Sequence, residues 1–440
     1  MLTLNLKDLY ADEPHGVFFL IDNKSFYASC EAVQRGLNPL KVPLVVLSET
    51  ENTGDGLVLA TSPEAKKLYH LKNNVSRATD LPHDPRLLIV PPRMNLYIRK
   101  NLQINQIFKE FVAPEDLVPY SIDESILDLT HSWRLFGATP HDVACRIQHT
   151  VRHRLGLYTT VGIGDNPLQA KIALDIYAKH ADDLIGEIHY RTVPQKLWPI
   201  PNITDVWSIG HRTAAHLARL GIHNLDDLAH TNPYFLKQQM GLIGEQLFAL
   251  AWGIDRTNVR KRLRPRSASI GNSQVLPRDY TQRSEIEVVL KELGEQVAAR
   301  LRHHHKKTTG ISLSIGFSYA AAQQDGRSGL KGAVRIGATD EDRIICRTLV
   351  TLFRQLWQGQ SLRHLAVYTF KLVAATGLQL NLFASTKQQI QQDTIGHLVD
   401  TIHDQYGFTA LVRGSSLLHG GTAIERASLV GGHNGGNAYE

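Results

Sequence analysis

"LVPYSIDESILDLT", residues 117–130, contains two runs that read as strands, "LVPYSI" and "SILDLT", with Asp123 and Glu124 side by side where they meet. The alternation of apolar and polar residues predicts a hairpin with both acids at or near its turn. Two readings stand open. One is a pair of solvated turn carboxylates. The other is a metal site, which needs a third acid from elsewhere. "GVFFLID" (16–22) is a continuous apolar run ending on Asp22 and reads as a buried strand. Strand ends of one sheet can converge. Consecutive strand residues face opposite sides, so both hairpin acids reach one site only if the turn twists. Three carboxylates at one point repel unless cations hold them. Hard oxygen ligands suit Mg²⁺, which takes substrate phosphates as further ligands. Two such ions about 3.5–4 Å apart clamp an in-line phosphoryl transfer.

The flanks of these strands extend the pattern. "KSFYASCEAVQRG" (24–36) predicts a helix, with Asn23 or Ser25 as cap and Gly36 as stop. Its N-terminal amides follow Asp22 directly and could hold a triphosphate. Residues 38–95 read as a polar, turn-rich insertion with a strand pair (42–48 and 56–62) and a short helix from Pro63. Helices are expected over 95–111, 140–156 and 166–180, with a strand at 158–164. Residues 16–185 then make a small antiparallel sheet with helices, an α+β unit carrying an insertion. Lys66 and Lys171 are candidate phosphate partners; each alone is more often a solvated helix lysine. "GIGDNP" (162–167) is no dinucleotide fingerprint, because Asp-Asn-Pro follows the GxG.

With 440 residues the chain should hold three or four domains. Residues 186–255 read as helical, and "DVWSIGHRTAAHLARLGIHNLDDL" (205–228) has the shape of a helix–hairpin–helix, a unit that offers backbone amides to DNA phosphates. Residues 268–375 mix three strands with two amphipathic helices, a second α+β unit. Residues 376–440 form a tail whose end, "GGHNGGNAYE", should fray.

Charge is unevenly distributed. Residues 1–255 carry 24 Lys and Arg against 28 Asp and Glu, whereas 256–375 carry 21 against 9. "RTNVRKRLRPR" (256–266) has six basic residues and no acid. Such a block beside a mildly acidic one fits a polyanion partner such as nucleic acid. "HHH" (303–305) points three ways on a helix, so a DNA-facing or solvated role is preferred to a metal site. Cys30, Cys145 and Cys346 cannot all pair and read as reduced, mostly buried thiols of a cytoplasmic protein. No signal peptide or membrane-spanning run is evident, so no membrane partner is expected.

Taken together, "FLIDNKSFYASCE", "LATSPEAKKLY", "YSIDESILDL", "TVGIGDNPLQAKIALD" and "DVWSIGHRTAAHLARLGI" resemble the Y-family translesion DNA polymerases, with the UmuC-like branch of Gram-positive bacteria the nearest likeness. The resemblance spans nearly the whole chain. It implies an α+β multidomain, right-hand polymerase: palm 1–37 and 96–185, fingers 38–95, helical thumb 186–255 with the helix–hairpin–helix, basic linker 256–266, little finger 267–375 and tail 376–440. It implies two Mg²⁺ ions on Asp22, Asp123, Glu124 and the Asn23 carbonyl. Phe26 and Tyr27 match the pair beneath the incoming nucleotide, Tyr27 as steric gate. Thr61 and Lys171 match triphosphate contacts. Where the family's fingers motif has Tyr and Arg, this chain has Pro63, which donates nothing, and Lys66, which keeps the charge without the bidentate fork. Arg260, Lys261, Arg262 and Arg264 are expected on DNA. "QLNLF" (379–383) resembles a sliding-clamp-binding peptide, with Gln379, Leu382 and Phe383 as anchors; a strand continuing the core is the other reading. The implied partners are primer–template DNA, a dNTP, a sliding clamp and, as a further candidate, a recombinase filament. The rival readings are a catalytically idle DNA- and clamp-binding scaffold and a nucleotidyl cyclase on a related palm.

Overall fold

The computed structural model describes residues 10–48, 56–261, 268–377, 380 and 385–435. The first strand, β1 (Phe18–Asn23), is apolar on both faces over residues 18–21 and buried except at Asp22, which is partly exposed. It leads through a tight turn into α1 (Phe26–Gln34). Next come β2 (Leu44–Leu47), β3 (Val58–Thr61), α2 (Pro63–Tyr69) and β4 (Leu88–Val90). β2 pairs antiparallel with β3 and parallel with β4. The insertion is therefore a three-stranded sheet, not the expected pair.

α3 (Met94–Phe108) returns to the main sheet, followed by β5 (Leu117–Pro119) and β6 (Glu124–Asp128). α4 (Pro140–Leu155), β7 (Thr159–Gly164), α5 (Pro167–Ile172) and β8 (Ile185–Ile188) complete the unit. The sheet order is β5-β6-β1-β7-β8. α5 lies so close to β7 that a Cβ on Gly162 would sit 2.0 Å from the Ala170 carbonyl oxygen. Only glycine permits that approach. The helix expected over 166–180 changes character at Ala173–Tyr177, which forms a π-turn. Such wide turns recur at functional sites.

A helical unit follows, with α6 (Val193–Lys196), α7 (His211–Arg219), α8 (Leu225–His230), α9 (Pro233–Met240) and α10 (Leu242–Ala251) around a core that also takes in Leu168 and Ile172 of α5 and Ile188 of β8. The described part of the basic linker is docked, not a free tether. Arg256 pairs with Glu13 and Arg260 with Asp116.

The second sheet has β9 (Ile270–Tyr280), β10 (Lys306–Phe317), β11 (Gly329–Thr339) and β12 (Leu362–Ala374) in the order β11-β10-β12-β9. β11 is a fourth strand beyond the three expected. α11 (Arg283–His303) and α13 (Asp342–Leu356) cover one face, and α12 (Tyr319–Asp325) links β10 to β11. On β11 the exposed Lys331 and Arg335 share the opposite face. His303, His304 and His305 are exposed, as a solvated or DNA-facing run requires.

The tail contributes α14 (Thr386–Tyr406), the short α15 (Ala423–Arg426) and a hairpin of β13 (Leu429–Val430) and β14 (His433–Asn434). Residues 431–435 are thus ordered into a turn and strand instead of frayed. All three cysteines are free: Cys30 is buried, Cys346 is half-buried and Cys145 is exposed on α4. Among the described residues no helix is long and apolar enough to cross a membrane.

Candidate active site

The two strands carrying acids are neighbours. Asp22, near the end of β1, lies in register opposite Glu124, the first residue of β6, and opposite Thr160 on β7. Asp123 precedes β6 and belongs to the turn, so strand alternation does not send it to the far face. The Asn23 backbone amide and side-chain amide both donate to the Asp123 carbonyl, at 3.0 and 2.9 Å. Ser121 closes the other side: its hydroxyl accepts from the Glu124 amide at 3.0 Å and donates to Asp123 Oδ1 at 2.6 Å. These bonds fix the bend of "SIDES" beside the end of β1, where both acids act on Asp22.

Electrostatics report the convergence. The Asp22 carboxyl is pushed up to about 6, first by burial, with Asp123 and Glu124 raising it further against the opposing fields of Lys179 and Lys171. Among the described residues no three His, Cys, Asp or Glu side chains close tightly enough to hold a metal unaided. The donor set nevertheless fits a hard divalent cation. It comprises carboxylates on neighbouring segments, two of which raise the pKa of Asp22, a cost that a cation relieves. The buried Asn23 Oδ1 also lacks a partner among the described residues.

Lys171 is turned onto this cluster. Its Nζ donates to Glu124 Oε1 at 2.7 Å and lies 3.1 Å from Asp175. Burial opposes its charge, but these carboxylates outweigh it, and its pKa is raised. Asp175, in the π-turn, also takes Lys179 at 2.7 Å. Ser62 is the N-cap of α2, its hydroxyl accepting from the Ala65 amide. Lys66 on that helix has its pKa lowered, first by burial, and it feels Asp22, Lys24 and Lys179. Thr61 is fully buried, and its hydroxyl has no partner among the described residues.

Lys24 and Lys179 escaped sequence reasoning. Burial also lowers the Lys24 pKa, opposed by Asp22 and reinforced by Lys179. The available signal was the adjacency of Lys24 to Asp22. For Lys179 there was none, because the π-turn sets its position.

An aromatic pair, Phe26 and Tyr27, lies on α1. Ser25 occupies the N-cap position with φ 50°, but its side chain makes no capping bond. Phe26 is buried, and the half-buried Tyr27 stacks on Tyr97 of α3, with ring centroids 4.3 Å apart and planes at 12°. Tyr27's phenol is raised by burial and then by Asp123, which places it beside the acids. Tyr97 donates to Glu31 at 2.8 Å, and Arg93 and Arg35 hold the same carboxylate. Burial alone would raise Glu31, but these bonds lower it overall.

The remaining expected residues lie elsewhere. Arg260 spends its guanidinium on Asp116, with Nη2 2.9 Å from Oδ2, so it is not free for phosphates. Lys261 is exposed. Arg262, Arg264, Gln379, Leu382 and Phe383 lie outside the described residues. The helix–hairpin–helix region has Gly210 at the N-cap of α7, and Asn224 caps α8 by accepting from the Asp227 amide.

Comparison with known proteins identifies the family. Residues 21–175 match the impB/mucB/samB family, and residues 267–382 match the C-terminal domain of that family. The UvrX protein of Bacillus subtilis strain 168 is 37% identical over 96% of this chain and 99% of its own length. DNA polymerase IV 2 of the same organism is 36% identical over 95% and 98%. DNA polymerase IV of Moorella thermoacetica is 33% identical over 92% and 98%. A chimeric Y-family DNA polymerase of known structure shares the fold with a TM-score of 0.65, covering 81% of this chain and 99% of its own, at 21% identity. Relatives of this identity, matched along nearly their full length, establish that the chain belongs to the impB/mucB/samB family and is a Y-family polymerase of the kind found in Gram-positive bacteria.

Proposed function

We propose that this chain carries out template-directed translesion DNA synthesis, transferring a nucleotide from dNTP to a primer 3′-OH at Asp22, Asp123 and Glu124. The observation that carries the reading is the register of Asp22 against Glu124 with Asp123 in the adjoining turn, which gathers three carboxylates beside an aromatic floor. The palm takes 1–37 and 96–185, the fingers 38–95, the thumb 186–255 and the little finger 267–375.

The three acids and the Asn23 carbonyl would hold Mg²⁺. Two bound ions supply activation of the 3′-OH and stabilisation of the leaving pyrophosphate. Thr61, Lys66, Lys171 and the α1 N-terminus take the triphosphate, and Lys24 and Lys179 add positive charge around Asp22. Lys171 holds Glu124 in the absence of substrate and exchanges that partner for phosphate. Tyr27, backed by Tyr97, bounds the sugar. Positioning and charge stabilisation then supply the rate. Primer extension by the purified chain, offered one dNTP at a time opposite each template base, should insert the complementary nucleotide. DNA binding without insertion would favour the scaffold reading.

The DNA grip is assigned to Lys261, Arg262 and Arg264 together with the exposed basic face of the second sheet. Affinity should fall steeply with salt, and neutralising these three residues should flatten the log–log slope by about 1 to 3. An unchanged slope would reduce the run to a solvated linker. Arg260 is left out, because its loss would uncover Asp116. A sliding clamp is the proposed partner of Gln379, Leu382 and Phe383. Leu382→Ala with Phe383→Ala should abolish clamp-stimulated synthesis and spare distributive synthesis. Clamp pulldown surviving the double change would make "QLNLF" core packing.

A further inference from the structure

The tail is anchored on the second sheet's unit, yet its described residues 430 and 435 reach the first. Arg302 of α11 grips Asp400 of α14, with Nη2 2.9 Å from Oδ1. The Tyr280 hydroxyl donates to the Gly420 carbonyl at 3.0 Å, and the Thr422 amide donates to Glu292 at 3.1 Å. Beyond these anchors the β13–β14 hairpin crosses to the palm. Val430 packs against the apolar core that contains Met94 and Tyr97. The buried Gly435 accepts a hydrogen bond at its carbonyl from the Asn95 amide, at 2.8 Å.

That bond has a specific physical role. The first amides of a helix have no acceptor within the helix. α3 begins at Met94, and its N-cap residue, Arg93, provides no side-chain cap. Arg93 instead gives its guanidinium to Glu31. The Gly435 carbonyl satisfies an orphan amide that the local sequence leaves open. The capped turn leads directly to Tyr97, two residues on, whose ring lies flat against Tyr27. The hairpin fits closely: a Cβ on Gly435 would lie 2.9 Å from the Ser428 carbonyl oxygen and 3.0 Å from Asn95 Nδ2.

We propose that the tail hairpin, residues 429–435, is a positioning element of the nucleotide pocket: it caps α3 in trans and, through Tyr97, holds the Tyr27 ring where it discriminates between sugars. The inference rests on the polymerase reading for its functional consequence. Loosening the first turn of α3 lets Tyr97 retreat, and the ring stacked on it gains room. A ribose 2′-OH is then tolerated, while a deoxyribose, which needs no extra room, is affected less.

The test uses two full-length variants that undock the hairpin differently, Val430→Asp by placing a charge against an apolar core and Gly435→Val by steric conflict. Val430→Ile is the conservative control. Two quantities are read: hydrogen exchange of the Asn95 amide, and the ratio of kcat/KM for a dNTP over the matching rNTP. Both undocking variants should speed Asn95 exchange and lower the ratio about fivefold or more, with Val430→Ile like the parent. In a Tyr27→Ala background, Val430→Asp should lower the ratio no further. Slow Asn95 exchange in both variants would overturn the docking. A ratio unchanged despite fast exchange, or lowered equally without Tyr27, would overturn the coupling. A parent that inserts no dNTP contradicts the polymerase reading instead, and the Asn95 exchange still decides the docking.

Discussion

Asp123→Ala and Glu124→Ala should each lower the single-turnover rate of nucleotide insertion about a hundredfold to a thousandfold, while leaving fold and DNA affinity nearly intact. The size of the effect follows from the role. A carboxylate that organises charge at the transferring phosphorus acts on the transition state and contributes little to binding DNA. The small structural cost follows from the contacts. Among the described residues the Asp123 side chain is tied to Ser121 alone, and its carbonyl bonds to Asn23 survive truncation. Glu124 leaves behind Lys171, which retains Asp175 at 3.1 Å. Each removal also relieves repulsion on Asp22. Since both neighbours raise the Asp22 pKa, it should move down from about 6 in either variant. Near-normal insertion by both variants would show that the "SIDES" acids are solvated turn residues.

Tyr27→Ala should lower the dNTP-over-rNTP ratio of kcat/KM about a hundredfold, mostly by admitting rNTP. The penalty against a 2′-OH comes from hard contact with a ring that cannot yield. Tyr97 lies flat behind it at 4.3 Å and is itself fixed by Glu31 and two arginines. Among the described residues the Tyr27 hydroxyl has no hydrogen-bond partner, so Tyr27→Phe should discriminate nearly as well as the parent. Phe26→Leu should impair both substrates, because Phe26 is buried beneath the same pocket. A ratio untouched by Tyr27→Ala would make Tyr27 an ordinary packing residue.

Much of this was legible in the sequence, for physical reasons. β1 announces itself because a central strand is apolar on both faces. The hairpin acids stand out because they interrupt an apolar alternation. β11 was missed because Gly329, Gly332 and Gly337 break the alternation that marks a strand, and it survives as an edge strand paired to β10 alone. β4 is three residues long, and two of them are exposed. The π-turn at Ala173–Tyr177 leaves no periodic signature, so neither Lys179 nor the shared role of Asp175 could be placed. Arg260 looked like a phosphate ligand because its partner, Asp116, is far away in sequence. The tail hairpin did carry a signal. Gly431 and Gly432 both have positive φ, 61° and 86°, as a two-residue hairpin loop demands. Reading the glycines only as flexible concealed it.

The most direct measurement of the central claim is primer extension by the parent chain on paired templates, one undamaged and one bearing a single base lesion, with Mg²⁺ and all four dNTPs. The account predicts extension on both, with products continuing past the lesion and lost from both templates in Asp22→Ala. DNA binding without extension on either template, or extension that persists in Asp22→Ala, would contradict it.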